Sequence, residues 1–259
     1  MSVIVRDMIE ADVPLVSRLI LLSFDTALRP YMTYTQHGVG AFLSVHTKYP
    51  EADPERRLLV ATDQFNPYGV VGYAEFRVGK DDVGFLSYIC VAESARGRGV
   101  ASALVRSFIH ERPQLLELQL DVFQDNAPAL SFYQKLGFRP INRVKWVTRP
   151  MPRAVGTARI VSLHAAVASL TAYGFCELEV INGTASTKVG LIGQKVVRCF
   201  SVETFDNDEL LGGLRGLFPD ADTVLAILPA TGVGNVLSDH EIIQRSDRMK
   251  LSLPGRPPR

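Results

Sequence analysis

The sequence predicts an α/β (α+β) chain in which a sheet flanked by helices is followed by a second, smaller α/β domain. Short β-rich runs alternate with helical periodicity along the whole chain, and a strand runs directly into a glycine-containing helix start at residues 87–101. A Pro-bearing break at residues 150–152, flanked by Arg149 and Arg153, then separates this pattern from a new one. The break sets the expected domains at 1–150 and 155–259.

Taken in order, residues 3–6 alternate as a first strand. Glu10 to Pro14 read as a helix start, with Asp12 as N-cap and Pro14 in the first turn, and the helix continues to about Thr26. Residues 28–53 are irregular, with helical spacing only around 39–47, and mix Tyr31, Tyr34, His37, Phe42, His46 and Tyr49 with Gly and Pro. Substrate-contacting loops would lie here, and the aromatics suggest a partly apolar acceptor surface or local core. Residues 57–62 and 70–78 are β-rich and separated by Asn66-Pro-Tyr-Gly, a hairpin signal; residues 83–91 form a third run. The helix after Gly99 stops before Pro113, a strand covers 115–123, a second helix covers 127–136 and ends at Gly137, and a last strand covers 144–148. Beyond the break the pattern reads helix 162–173, strands 175–181, 188–192 and 195–204, helix 207–217, strand 223–228 and a final strand 248–253.

With 47% hydrophobic residues in 259, the chain can bury a core without staples. Lys and Arg total 28 against 27 acidic residues, and the two sides of Pro150 balance at 17 against 16 and 11 against 11. Bulk charge therefore gives no reason to expect a nucleic-acid partner. Cys90, Cys176 and Cys199 are widely spaced, with no CxxC pair and no flanking His cluster, so no metal is expected and the thiols read as reduced and buried. The N-terminus lacks the pattern of a signal peptide, and no apolar run approaches the roughly 20 residues a membrane span needs. A soluble cytoplasmic protein that does not engage membranes is the expectation.

The chemistry is concentrated in the junction that contains Cys90 and Val91 at the end of a strand, then Arg96, Gly97, Arg98 and Gly99, then Val100 and Ala101 at a helix start. Glycines let such a loop turn sharply and approach a ligand, and the first helical N–H groups have no intrahelical partner. Together they form a site for phosphate oxygens, with Arg96 and Arg98 adding charge at its edge.

Arg96-x-x-Gly99-x-Ala101 after a strand resembles the pyrophosphate-binding loop of the GNAT (GCN5-related N-acetyltransferase) superfamily. About 25 residues on, Asn126-x-x-Ala129-x-x-Phe132-Tyr133-x-x-x-Gly137-Phe138 is similar to that superfamily's second hallmark. The resemblance implies a mixed, twisted sheet whose fourth and fifth strands splay apart, with the pantetheine arm of acetyl-CoA between them along Val91 and its neighbours. It implies Tyr133 as the acid that protonates the departing CoA thiolate and Asn126 as a cofactor contact; the alternative for Tyr133 is a packing aromatic. Some members carry a glutamate in the strand before the loop, where this sequence reads Phe85-Leu-Ser-Tyr-Ile-Cys. Glu75 on the neighbouring strand is the first substitute, as a base acting through water, against the alternative of an ion-paired strand residue. His37, His46 or no dedicated base remain open.

The C-terminal part resembles, in the order of its elements, the degenerate half of tandem acetyltransferases; an unrelated cap or dimerisation domain is the alternative. Thr231-Gly-Val-Gly follows a strand there but lacks a preceding Arg or Gln and a following amphipathic helix. The leading expectation is transfer of an acetyl group from acetyl-CoA to a primary amine, of a small molecule rather than a protein. Transfer of a longer acyl chain, a non-catalytic acyl-CoA-sensing or interaction module, and a homodimer stay open.

Overall fold

The computed structural model describes residues 3–63, 66–79, 81–153, 156–183 and 185–254. The chain opens with β1 (Val3–Asp7), a 3-10 turn at Glu10–Asp12 and α1 (Val13–Ser23). Asp12 does not cap α1 with its side chain. Its buried carboxylate accepts from both terminal nitrogens of Arg6, at 2.6 and 2.9 Å, and from the Ile9 amide at 2.9 Å, because a bidentate, charge-assisted pair outcompetes the amides of a helix end. Then follow α2 (Val39–Lys48), β2 (Arg56–Asp63), β3 (Asn66–Val78), β4 (Val83–Val91), α3 (Val100–Glu111), β5 (Glu117–Phe123), α4 (Ala127–Lys135) and β6 (Arg139–Pro150).

The expected turn at Asn66 is instead the start of β3. Asp63 stands opposite Asn66 and Thr62 opposite Val70, so a β-bulge absorbs the intervening residues, and the connection at 64–65 lies outside the described residues. Past residue 153 come β7 (Arg159–Val161), α5 (Leu163–Tyr173), β8 (Phe175–Asn182), β9 (Ala185–Ile192), β10 (Val196–Cys199), α6 (Val202–Phe205), α7 (Asp208–Leu217), β11 (Thr223–Pro229), α8 (Ala230–Val233) and β12 (Glu241–Ser252). The strand expected to reach Thr204 stops at Cys199 because Ser201 accepts from the Thr204 amide and caps α6.

Contacts divide the chain into two units. Unit 1 comprises Met1–Asp25, Gly40–Ile141 and Asp247–Arg259, and unit 2 comprises Thr26–Val39 and Asn142–Ser246. These are not the contiguous stretches on either side of Pro150 that composition suggested. A strand joins a sheet through backbone hydrogen bonds that carry no memory of sequence distance, so the residues from 247 onward serve unit 1.

In unit 1 the strand order is β1-β2-β3-β4-β5 followed by the last part of β12, antiparallel from β1 to β4 and parallel between β4 and β5. One face carries α3 and α4 over a core that includes Leu59, Ala74, Phe76, Leu104, Phe108, Leu118, Leu120 and Phe138. Gly72 lets α3 lie close on β3, since a Cβ there would meet Val100 at 2.5 Å. Unit 2 has the order β6-β11-β10-β9-β8-β7, with β10 and β11 parallel, over a core that includes Val147, Val180, Val197, Phe205, Leu211 and Val224. The expected α/β class with a mixed sheet flanked by helices is what the chain forms.

The Phe76 and Phe108 rings are fully buried and stacked 4.0 Å apart at 4°. Phe76→Ala is expected to lower the unfolding free energy by about 3–5 kcal/mol, measured by urea denaturation. Phe76→Leu should cost clearly less.

Candidate active site

The site begins with one irregularity in β4. Leu86 stands opposite Phe76 and Tyr88 opposite Glu75, which leaves Ser87 without a counterpart on β3. Such a bulge bends its strand and increases its local twist. On the other side of β4, the parallel pairing with β5 runs from Val83 opposite Glu117 to Leu86 opposite Leu120 and goes no further. Residues 87–91 therefore leave β5 where the bulge falls, as the splay requires. The Ala92 amide donates to the Val71 carbonyl at 2.9 Å, so alternation turns the backbone groups of Cys90 toward β3 and those of Ile89 and Val91 toward the gap.

β4 leads through a 3-10 turn at Glu93–Ala95 into Arg96, Gly97, Arg98 and Gly99. Gly97 and Gly99 have φ of +72° and +81°, which disfavours a side chain, and among the described residues no atom beyond the chain neighbours lies within 4 Å of a Cβ built on either. The loop surface is thus open above both glycines. Gly99 N-caps α3, Val100 is buried beneath it, and Ala101 continues the first turn, which holds no acidic residue. The first amides of α3, together with Arg96 and Arg98, place positive charge at this end of the helix.

Tyr133, on α4, is 6% exposed and packs edge-on against Phe138 with centroids 5.5 Å apart. Among the described residues its hydroxyl makes no protein hydrogen bond. Burial raises its pKa, and Cys90 adds to the rise, so the phenol stays protonated. Cys90 is buried, its thiol pushed up to about 11 by desolvation against opposing contributions from a hydrogen bond with Ser23 and from Arg96. Asn126 caps α4, its side chain accepting from the Ala129 amide at 3.2 Å.

Glu75 lies on the face of the sheet opposite α3 and is 2% exposed. Arg56 pairs with its carboxylate and also bonds Asp53 at 2.8 Å, while the fully buried Tyr73 hydroxyl donates to Glu75 at 3.1 Å. The Arg56 guanidinium carbon further lies 5.3 Å from the Phe42 ring centroid, and the Phe42 and His46 rings meet edge-on with centroids 4.5 Å apart. Burial lowers the His46 pKa to about 4, helped by Arg56 and Arg77 and opposed by Asp53. His37 belongs to unit 2, where its ring lies 3.3 Å from the Thr171 carbonyl. Tyr34 is there too, buried against Phe175 as core.

Sequence reasoning placed the loop, Tyr133 and Asn126 around one region of unit 1. It missed Ser87, Arg56, Tyr73 and Ser23. A serine at a bulge has no sequence signal, and the partners of Glu75 follow from strand register alone.

In unit 1 the sheet thus parts beside an open helix start whose first turn holds no acidic residue. Residues 24–138 match the model of the acetyltransferase (GNAT) family. The L-amino acid N-acetyltransferase AaaT of Escherichia coli (strain K12) is 47% identical over 53 residues, which cover 19% of this chain and 33% of that protein. The match thus spans about a third of the relative's length. The crystal structure of a GCN5-related N-acetyltransferase from Sphaerobacter thermophilus aligns over 96% of this chain and 95% of that one, with a TM-score of 0.60 and 13% identity. A Pyrococcus horikoshii protein assigned to the acetyltransferases aligns over 98% and 90%, with a TM-score of 0.63 and 14% identity. These two likenesses establish the fold.

The His46 environment sets a pH dependence of stability. Its folded pKa lies below the ordinary value of 6.5, so between 6.5 and about 4 the unfolded chain binds the proton that the folded chain refuses. Stability should fall as pH drops through that window. Denaturation midpoints measured from pH 7 to 4 should decline less steeply in His46→Gln.

Proposed function

We propose that the chain transfers an acetyl group from acetyl-CoA to a primary amine of a small molecule by direct attack. The observation that carries this reading is that β4 and β5 part at the Ser87 bulge, immediately before the open, glycine-containing start of α3. Acetyl-CoA supplies an activated thioester. The amides of α3, with Arg96 and Arg98, hold its pyrophosphate, and the backbone groups of Ile89 and Val91 pair with its pantetheine arm and polarise the thioester carbonyl. Tyr133 donates a proton to the leaving sulfur as the C–N bond forms and the C–S bond breaks. Asn126 holds the start of α4 and thereby the phenol.

The remaining proton leaves the amine nitrogen. Glu75 is bound by Arg56 and Tyr73, so in this reading it receives a proton only through the Tyr73 hydroxyl or water. The E. coli relative is named for L-amino acids, which supports a small acceptor. Apart from the added α6, unit 2 follows the strand and helix order of unit 1 without an α2 counterpart, and α7, the helix that joins β10 to its parallel partner β11, carries Asp208 and Glu209 in its first turn. Acidic residues there repel phosphate, which supports a degenerate half without a cofactor loop. Three free, buried thiols fit a reducing compartment such as the cytoplasm, and no helix among the described residues is long and apolar enough to cross a membrane.

Calorimetric titration with acetyl-CoA should show binding to the wild type and its loss in Gly99→Trp, whose side chain would stand over the loop. Absence of wild-type binding would leave a non-catalytic interaction module as the better reading. Tyr133→Phe should keep acetyl-CoA affinity while lowering kcat for thiol release by roughly 100-fold or more.

A further inference from the structure

On the face of unit 1 opposite α3, an ion pair stands at the point where β4 and β5 part. Asp121 is the first residue of β5 beyond the last paired position, Leu120. Leu120 and Val122 point into the core beneath α3, so alternation turns Asp121 to the other face, beside Phe85, whose partner on β5 is Gln119. Arg248, brought by β12, closes on Asp121 through two parallel bonds, Nε to Oδ1 at 2.8 Å and Nη2 to Oδ2 at 2.7 Å. Its guanidinium carbon lies 5.4 Å from the Phe85 ring centroid.

We propose that this pair reads the acceptor, Arg248 taking a carboxylate and Asp121 the amine of a molecule that carries both, the class of α-amino acids and their close homologues. The proposal rests on the acetyl-transfer reading and assigns its acceptor chemistry. The guanidinium fork matches a carboxylate in two bonds, and the Phe85 ring holds it in plane. The two side chains remain 38% and 28% exposed, so the resting pair is a solvent-screened one that a ligand exchanges at little cost. A zwitterion supplies a new partner to each member, leaving neither charge unpaired. Phe24 and Tyr88, in edge contact at 5.9 Å on the same face, offer apolar surface beside it. A comparable pair, Lys250 with Glu117 at 3.1 Å, sits where β5 is still paired to β4 and serves as an internal control.

The test measures thiol release by the full chain with saturating acetyl-CoA and a panel of α-amino acids, each beside its primary amide and its decarboxylated amine. The carboxylate-bearing member of the preferred set should have a KM roughly 10- to 100-fold below the other two, the range expected for a charge-assisted bidentate contact. Arg248→Gln should raise that KM toward the amide's value with kcat nearly unchanged and leave the amide's own KM alone. Arg248→Lys should recover part of the preference, and Lys250→Gln should change nothing. Acetyl-CoA binding by calorimetry verifies that each variant is folded, and Arg248→Lys carries the test if Arg248→Gln is not. Equal KM values for acid, amide and amine, or a rise of all three in the Arg248 variants, would overturn the proposal alone. No thiol release with any amine by wild-type protein that binds acetyl-CoA would overturn the transfer reading and this proposal with it.

Discussion

The single extra residue in β4, Ser87, is the constraint on which unit 1 depends. Hydrogen-bonded strands stay about 4.8 Å apart, which leaves no space between them for a ligand arm. Pairing on the β3 side survives the bulge because the register shifts by one and resumes at Tyr88 opposite Glu75. Pairing on the β5 side does not resume. The strand is therefore anchored on one flank and released on the other, and the backbone groups of Ile89 and Val91 are held in order on the released side.

The surroundings of that gap are arranged by charge as much as by shape. The α3 start has no carboxylate in its first turn and two arginines before it, so the field there favours an anion. Deeper in, Cys90 and Tyr133 are both buried and both held in their neutral forms by desolvation. A neutral phenol without an acceptor among the described residues is suited to give a proton to a thiolate and poorly suited to lose one to water. On the opposite face, Arg56 and Glu75 neutralise one another, and Arg248 and Asp121 present partly exposed charge at the parting of the strands.

Much of this site was legible in order along the chain, because it is local. Gly97 and Gly99 mark a turn that only glycine adopts readily, and the spacing from Asn126 to Phe138 places a cap, a phenol and a helix end on one short segment. The roles of Glu75 and Asp12 were not legible. A carboxylate on a strand or before a helix can serve as base, cap or ion-pair partner, and the outcome depends on which cation the fold brings near. For Glu75 that cation is Arg56, nineteen residues earlier; for Asp12 it is Arg6.

The sequence by itself determined the element types in unit 1, the α/β class, and the loop and phenol expected of an acyl-CoA-dependent transferase, since each rests on contacts within a few residues. Tertiary structure decided where β4 leaves β5, which charges are buried together, and that the segment from residue 247 onward serves unit 1. The physical reason is that strand pairing and ion pairing join groups by distance in space. Arg248 and Asp121 stand 127 positions apart in the chain and share two hydrogen bonds.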